Sequence, residues 1–312
     1  MSTLICGSLA YDNIMTFEGR FREQILPEQV HILNVSFLVP TMRREFGGCA
    51  GNIGYSLNLL GGDARIMGTL GAIDAQPYLD RFDALGLSKD SVLVLKDTYS
   101  AQAMITTDLE NNQITAFHPG AMMQSHLNRA DEPKGVTLGI VAPDGFDGMV
   151  QHCEQFAAAG VPFIFDPGQG LPLFDGETLR RMIELATYVT VNDYEAKLVS
   201  NKTGWSEQEI ASRVDALIVT RGEHGAQIHH AGGVEEIPAV TAQQVLDPTG
   251  CGDAFRGGLL YGIENSLGWA TTGRLASLMG ALKIEHQGPQ NYAPTRADIE
   301  ARFKQAFGYD LP

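Results

Sequence analysis

The sequence predicts an α/β fold: a doubly wound, mostly parallel sheet with helices on both faces, and a small β-sheet lid beside it. Three observations carry this. From about residue 137, short apolar runs at Leu138 to Ala142, Pro162 to Phe165, Tyr188 to Val191 and Leu217 to Thr220 recur about 25 to 30 residues apart with helical segments between them, the rhythm of parallel βαβ units. Residues 13–46 and 91–118 instead contain alternating, β-branched stretches broken by polar turns, as expected of a separate sheet. The C-terminal part holds three helical segments in succession.

In chain order, Thr3 to Gly7 is a short apolar first strand followed by a Gly-Ser turn. The small sheet takes up the chain from Asn13 to Phe46, including Val30 to Val39. Ala50 to Leu60 predicts a helix, because Ile53, Leu57 and Leu60 stand at helical spacing and Gly61-Gly62 ends it. Ala64 to Leu70 reads as a buried strand and Gln76 to Leu85 as a helix. Ser91 to Leu95, Ala101 to Thr107 and Gln113 to Phe117 alternate again, and the turn Asp108 to Asn112 pairs the last two as a hairpin. These would complete the small sheet. The lid is then two insertions, about 13–46 and 91–118, into a single domain spanning residues 1–312. Helices are expected at Met149 to Ala159, Glu177 to Ala186 and Tyr194 to Val199, a hairpin at Gly225 to Val240, and closing helices at Asp253 to Asn265, Thr271 to His286 and Arg296 to Phe307.

A chain of 312 residues with 44% hydrophobic and 19% charged residues buries roughly three-quarters of its unfolded surface. Its 22 Lys and Arg against 37 Asp and Glu give a formal charge of −15, a field that opposes a nucleic-acid backbone. A small anion is still accommodated where backbone amides converge. Cys6, Cys49, Cys153 and Cys251 form no CxxC pair, which fits reduced thiols in a cytoplasm. The N-terminus has no basic segment and meets Asp12 too early for a signal peptide. No apolar run approaches the ~18 residues of a membrane span. The expectation is a soluble, cytoplasmic protein.

The most informative stretch is Asp247-Pro-Thr-Gly-Cys-Gly-Asp-Ala-Phe-Arg-Gly-Gly258. Gly250 and Gly252 let successive N–H groups, with that of Cys251, point into one cavity. The helix that follows adds the positive end of its dipole. Such an anion hole suits a phosphoryl group gaining charge, and Asp253 lies in the first helical turn beside it. Taken alone, Gly-x-Gly is common in loops and Asp is an ordinary helix cap. No Gly-x-Gly-x-x-Gly follows the first strand and no Walker loop is present, which argues against a dinucleotide oxidoreductase and the common ATPase folds. His229-His230 has no partner at metal-ligand spacing and reads as structural or surface.

The whole stretch resembles the second signature of the ribokinase-like (PfkB) carbohydrate kinase family, whose core is Gly-x-Gly-Asp-x-Phe. Gly47-Gly48-Cys49-Ala50-Gly51-Asn52 resembles the first signature, about 200 residues earlier. The resemblance covers essentially the whole chain. Within the family, Arg256, Phe117-His118-Pro119-Gly120-Ala121 and Lys283 to Gln290 are most similar to the bacterial adenosine kinase branch. Pro248 and Cys251 depart from the commonest pattern without removing the hole.

The resemblance implies a ribokinase-like kinase that uses ATP and Mg2+ to phosphorylate a ribose hydroxyl, most simply adenosine to AMP. It leaves a monovalent-cation requirement open. Asp253 would be the catalytic base, with Gly250, Cys251 and Gly252 as the anion hole. Ser8, Asp12, Gly48 and Asn52 would grip the ribose, and Phe117 would wall the base. Asn192, Glu195, Thr220, Gly222 and Arg256 would face ATP, and Glu195 would hold the metal through water. Asp166-Pro167-Gly168 fits the site rim. The alternatives are a sugar kinase acting on ribose or a hexose, and a non-catalytic nucleoside or sugar sensor. The expected partners are small molecules, with neither nucleic acid nor membrane, for a monomer or homodimer.

Overall fold

The computed structural model describes residues 2–25 and 34–312. The chain opens with β1 (Thr3–Cys6), β2 (Ala10–Thr16), the single-turn α1 (Phe21–Gln24) and β3 (Thr41–Gly47). Next come α2 (Cys49–Leu59), β4 (Ala64–Gly71), α3 (Gln76–Leu85), β5 (Val92–Leu95), β6 (Ala101–Thr107) and β7 (Gln113–His118). The βαβ rhythm runs through β8 (Leu138–Val141), α4 (Phe146–Ala159), β9 (Phe163–Phe165), α5 (Gly176–Leu185), β10 (Tyr188–Asn192), α6 (Asp193–Thr203), α7 (Glu207–Ala211) and β11 (Ala216–Thr220). The chain ends in the hairpin of β12 (Ala226–His230) and β13 (Gly233–Ile237), then α8 (Cys251–Glu264), α9 (Trp269–Ile284) and α10 (Arg296–Phe307).

Two sheets result. The large one has nine strands in the order β13-β12-β11-β10-β9-β8-β1-β4-β5. It is parallel from β11 to β5 and antiparallel at the hairpin edge. Alternate side chains of each strand feed opposite layers, because successive Cβ atoms leave a strand on opposite faces. Ile5 packs with Ile53, Leu57 and Leu259 of α2 and α8. Leu4 and Cys6 pack with Met149 and Phe156 of α4 on the other side. Fully burying an aliphatic side chain of this kind contributes roughly 1.5–3 kcal/mol, which is why short, wholly apolar strands such as Leu138–Val141 suffice. The chain leaves β1 toward β4 on one side and returns to β8 on the other. A crevice opens at such a switch point, beyond the carboxyl ends of the strands.

The small sheet has the order β3-β2-β6-β7. Its composition differs from expectation in two places. Val92–Leu95 is an edge strand of the large sheet, parallel to β4. Its four residues, Val-Leu-Val-Leu, are all apolar and none is fully buried, so nothing local says which sheet supplies its partner. Of the stretch Val30 to Val39, residues 30–33 lie outside the described residues, and 34–39 form no strand. The lid's contribution there is β3, paired with β2 in the register Asp12↔Glu45. β2 itself begins at Ala10, three residues ahead of the alternating stretch expected from Asn13. Among the described residues no helix is long and apolar enough to cross a membrane.

Candidate active site

The carboxyl ends of β1, β9, β10 and β11 deliver Ser8, Asp166, Asn192 and Thr220 to one edge of the large sheet, where α2 and α8 begin. Both helices are preceded by glycines with positive φ. Gly48 precedes α2 with φ 87°, and a Cβ there would stand 2.5 Å from the Ser8 carbonyl oxygen. Gly250 precedes α8 with φ 80°, and a Cβ there would meet Pro289 at 2.7 Å. A side chain at either position would both strain the backbone and push the loops apart.

Asp253 stands in the first turn of α8. Asn52 Nδ2 donates to its Oδ2 at 2.8 Å. Asn52 Oδ1 in turn accepts from Gln290 Nε2 at 3.0 Å, and the same nitrogen lies 3.1 Å from Tyr78 Oη, which donates to the Gly47 carbonyl at 2.6 Å. The carboxylate is therefore aimed by a chain of buried polar groups reaching from α8 to β3. Burial pushes the Asp253 pKa up to about 6, against the pull of the Asn52 amide and the Arg256 guanidinium. That is a fitting value for a proton acceptor near neutral pH.

Arg256, one turn further along α8, is 6% exposed and grips Asp166, 3% exposed, through Nε to Oδ2 at 2.8 Å and Nη2 to Oδ1 at 3.2 Å. Burial opposes the guanidinium charge, but Asp166 keeps its pKa above the ordinary value. Its Nη1 also reaches the Gly252 carbonyl at 3.4 Å. Arg256 thus fastens the start of α8 to the end of β9. Asn192 and Glu195 form a reciprocal cap on α6: Glu195 N donates to Asn192 Oδ1 at 2.8 Å, and Asn192 N donates to Glu195 Oε2 at 2.7 Å. Burial raises the Glu195 pKa, partly offset by the Asn192 N–H. Thr220 sits beside Asn192 in the β10–β11 register, and Gly222 follows it at the same edge, exposed.

On the other wall, the Ser8 hydroxyl accepts from Cys49 N at 3.0 Å and so caps α2. Asp12, half-buried on β2, has its pKa pushed up to about 6 by burial and by the carboxylates of Asp247 and Glu45. Asp12, Ala103 and Phe117 form one register row across the lid. Residues of one row share a face, so Phe117, 53% exposed, looks out on the side of the lid that carries Asp12. Among the described residues no group of three or more His, Cys, Asp and Glu converges as a metal cage. The carboxylates present suit an ion that keeps its water, as Mg2+ does.

The positioning roles of Tyr78 and Gln290 have no signal in the sequence, and Asp166 pairs with Arg256 rather than only standing at the rim. Gln290 lies in a segment already noted, but Asn52 and Gln290 are 238 residues apart, so no local pattern joins them. Gln169 has no such signal either; it is exposed at the lip, with Nε2 3.7 Å from Cys49 Sγ.

This arrangement defines a phosphotransferase with an alcohol acceptor. The model of the pfkB family of carbohydrate kinases matches residues 19–296, and the chain belongs to that family. It is 29% identical over 273 residues, covering 87% of this chain and 90% of the relative, to a nucleoside kinase of Methanocaldococcus jannaschii. It superposes on a nucleoside kinase of Burkholderia thailandensis, solved in complex with inosine, with a TM-score of 0.90 and 78% identity over 99% of both chains. The same enzyme in complex with ADP-inosine gives a TM-score of 0.89 and 79% identity over 99% of this chain and 97% of that one. A ribokinase of Thermotoga maritima, 17% identical with a TM-score of 0.80 over 97% of this chain and 99% of that one, shares the fold.

Proposed function

We propose that the protein is an ATP-dependent nucleoside kinase that phosphorylates the ribose 5′-hydroxyl of a purine nucleoside, with Asp253 as general base. The observation that carries this is the Asp253 carboxylate held by Asn52 at the head of α8, directly after the Gly250–Gly252 turn, with its pKa raised to about 6. Asp253 accepts the hydroxyl proton as that oxygen bonds to the γ-phosphorus and the bond to ADP breaks. The amides of Gly250 and Gly252 receive the charge of the transferring phosphoryl group, while the Cys251 N–H is given to the Pro248 carbonyl and closes the turn. Arg256 acts through Asp166 and the Gly252 carbonyl to hold that turn in place.

Asp12 accepts from the two vicinal ribose hydroxyls, both of which donate. Ser8 and Gly48 shape the backbone against which the sugar lies, and Asn52 orients Asp253 beside it. Phe117 walls the base, and closure of the lid excludes water. Thr220, Gly222 and Asn192 line the edge toward the ATP phosphates. Magnesium bound with ATP neutralises phosphate charge, and Glu195 would hold it through water.

Adenosine is the acceptor implied by the resemblance, and inosine is the one with which the Burkholderia relative was solved, so both belong in the test. Incubation with ATP and inosine, adenosine, guanosine, ribose or fructose, with products resolved by mass, should give a nucleoside monophosphate fastest. Faster phosphorylation of a free sugar would overturn the nucleoside assignment, and no product from any acceptor would leave the sensor reading.

A further inference from the structure

Lys283 lies in the last turn of α9 and is 0% exposed. Its ammonium donates to the main-chain carbonyls of Asp247 at 2.7 Å and of His286 at 3.0 Å. The C-terminal end of a helix dipole adds a further negative potential at that point. Burial lowers the Lys283 pKa, with the Asp247, Cys251 and Glu45 charges opposing.

Both carbonyls belong to segments that frame the anion hole. Leu246 N donates to the Ile284 carbonyl at 2.9 Å, Gly288 N to Asp247 Oδ2 at 2.9 Å and Thr249 N to Asp247 Oδ1 at 2.9 Å. Cys251 N then returns to the Pro248 carbonyl at 3.1 Å, so the turn carrying Gly250 is laced to residues 284–288. A pocket of backbone carbonyls facing a single positive charge is also how proteins hold a bare monovalent cation. Here the charge is already supplied, on a tether. A free potassium or ammonium ion cannot take the position between these two carbonyls that the Lys283 ammonium already holds.

We propose that the Lys283 ammonium is a built-in monovalent cation, a positioning residue that sets the 247–250 turn and with it the anion hole, so that turnover needs no added potassium or ammonium. This rests on the kinase reading above. The site links two backbone segments that only the folded chain brings together, which is what a dissociable cation would do at the cost of depending on its concentration.

The test compares wild type, Lys283→Ala and Lys283→Met in sodium, potassium, ammonium and tetramethylammonium salts at constant ionic strength, reading both turnover and melting temperature. Wild type should vary less than about twofold and melt at one temperature, since a filled site offers nothing for a cation to bind. Lys283→Ala should lose about 10²-fold in kcat, the scale of a misplaced site. Potassium or ammonium should restore at least about tenfold of that and raise the melting temperature, whereas the bulkier tetramethylammonium should not. Lys283→Met, whose side chain fills the space without charge, should be slow and unrescued.

Potassium activation or stabilisation of wild type would overturn the proposal. So would a folded Lys283→Ala that keeps its kcat, or one that no cation rescues or stabilises. If the alanine variant does not fold, the wild-type salt series decides alone. Absence of wild-type turnover in every salt would instead refute the kinase reading, and the melting series still judges the cation.

Discussion

The floor of the site and its lid are built on opposite principles. On the floor, the polar groups around Asp253 are buried and paired, Asn52 with Asp253 and Gln290, Arg256 with Asp166, and Asn52 and Arg256 rest on helices packed against the large sheet. On the lid, all six residues of β7 are exposed, and Asp12 and Phe117 stand on one face. A preorganised floor stabilises charge as it develops. A thin, half-solvated sheet can close and reopen, and it tolerates changes of shape. Chemistry should therefore fail on the floor and selectivity on the lid.

The sharpest break falls at Asp253. Asp253→Asn should lower kcat by about 10³-fold, within the range for loss of a general base, while nucleoside binding measured by calorimetry persists. The same variant should be more stable. Raising a carboxyl from 3.8 to about 6 is about two units, or about 3 kcal/mol of cost to the charged form. A raised pKa favours folding only while the group is protonated, so that contribution is lost as pH rises through about 6. The asparagine variant should melt higher than wild type at pH 8, and the gap should close toward pH 4. Wild-type kcat should fall tenfold per unit below about pH 6. The fall in kcat/KM should be steeper, because Asp12 also titrates near 6 and must be charged to accept two hydroxyls. A kcat that is flat down to pH 4 would remove Asp253 from the base role.

Arg256 tests the floor in a different currency, stability. Replacing it with Met leaves Asp166 buried beside an apolar chain, and breaking a buried pair in this way costs about 3–5 kcal/mol. Urea unfolding should show that loss, and adding Asp166→Leu should recover much of it, since no charge then remains buried. If Arg256→Met alone is neutral to unfolding, the pair does not fasten α8 to β9.

Most of the large sheet was legible because parallel strands buried on both faces are short apolar runs, and helices between them have their own period. Asp253 and the Gly250–Gly252 turn were legible for the same reason: a helix start with a tight turn is a local event. What escaped was set by partners distant in sequence. Val92–Leu95 looked like lid because a short apolar run does not name its partner, and that partner is Gly68–Gly71 of β4. Arg256 read as a free positive charge because nothing near it in sequence announces Asp166, 90 residues away. The Asn192–Glu195 pair was legible as neighbours on one helix start, and the structure adds that the two side chains cap α6 reciprocally.

The smallest expected effect is on the lid, and it sharpens the comparison most. Phe117 shares a row with Asp12 across β6, so the two backbone positions are about 10 Å apart at two strand spacings, close enough for one nucleoside to reach both side chains. It is 53% exposed, so truncation removes little buried surface and Phe117→Ala should shift unfolding by less than about 0.5 kcal/mol. The lost aromatic contact should raise KM for the nucleoside about five- to tenfold, the equivalent of about 1 kcal/mol, with kcat within about twofold because the floor is untouched. A fall in kcat at constant KM would mean that the ring helps order the site for transfer, and the division of labour between floor and lid would fail at that residue.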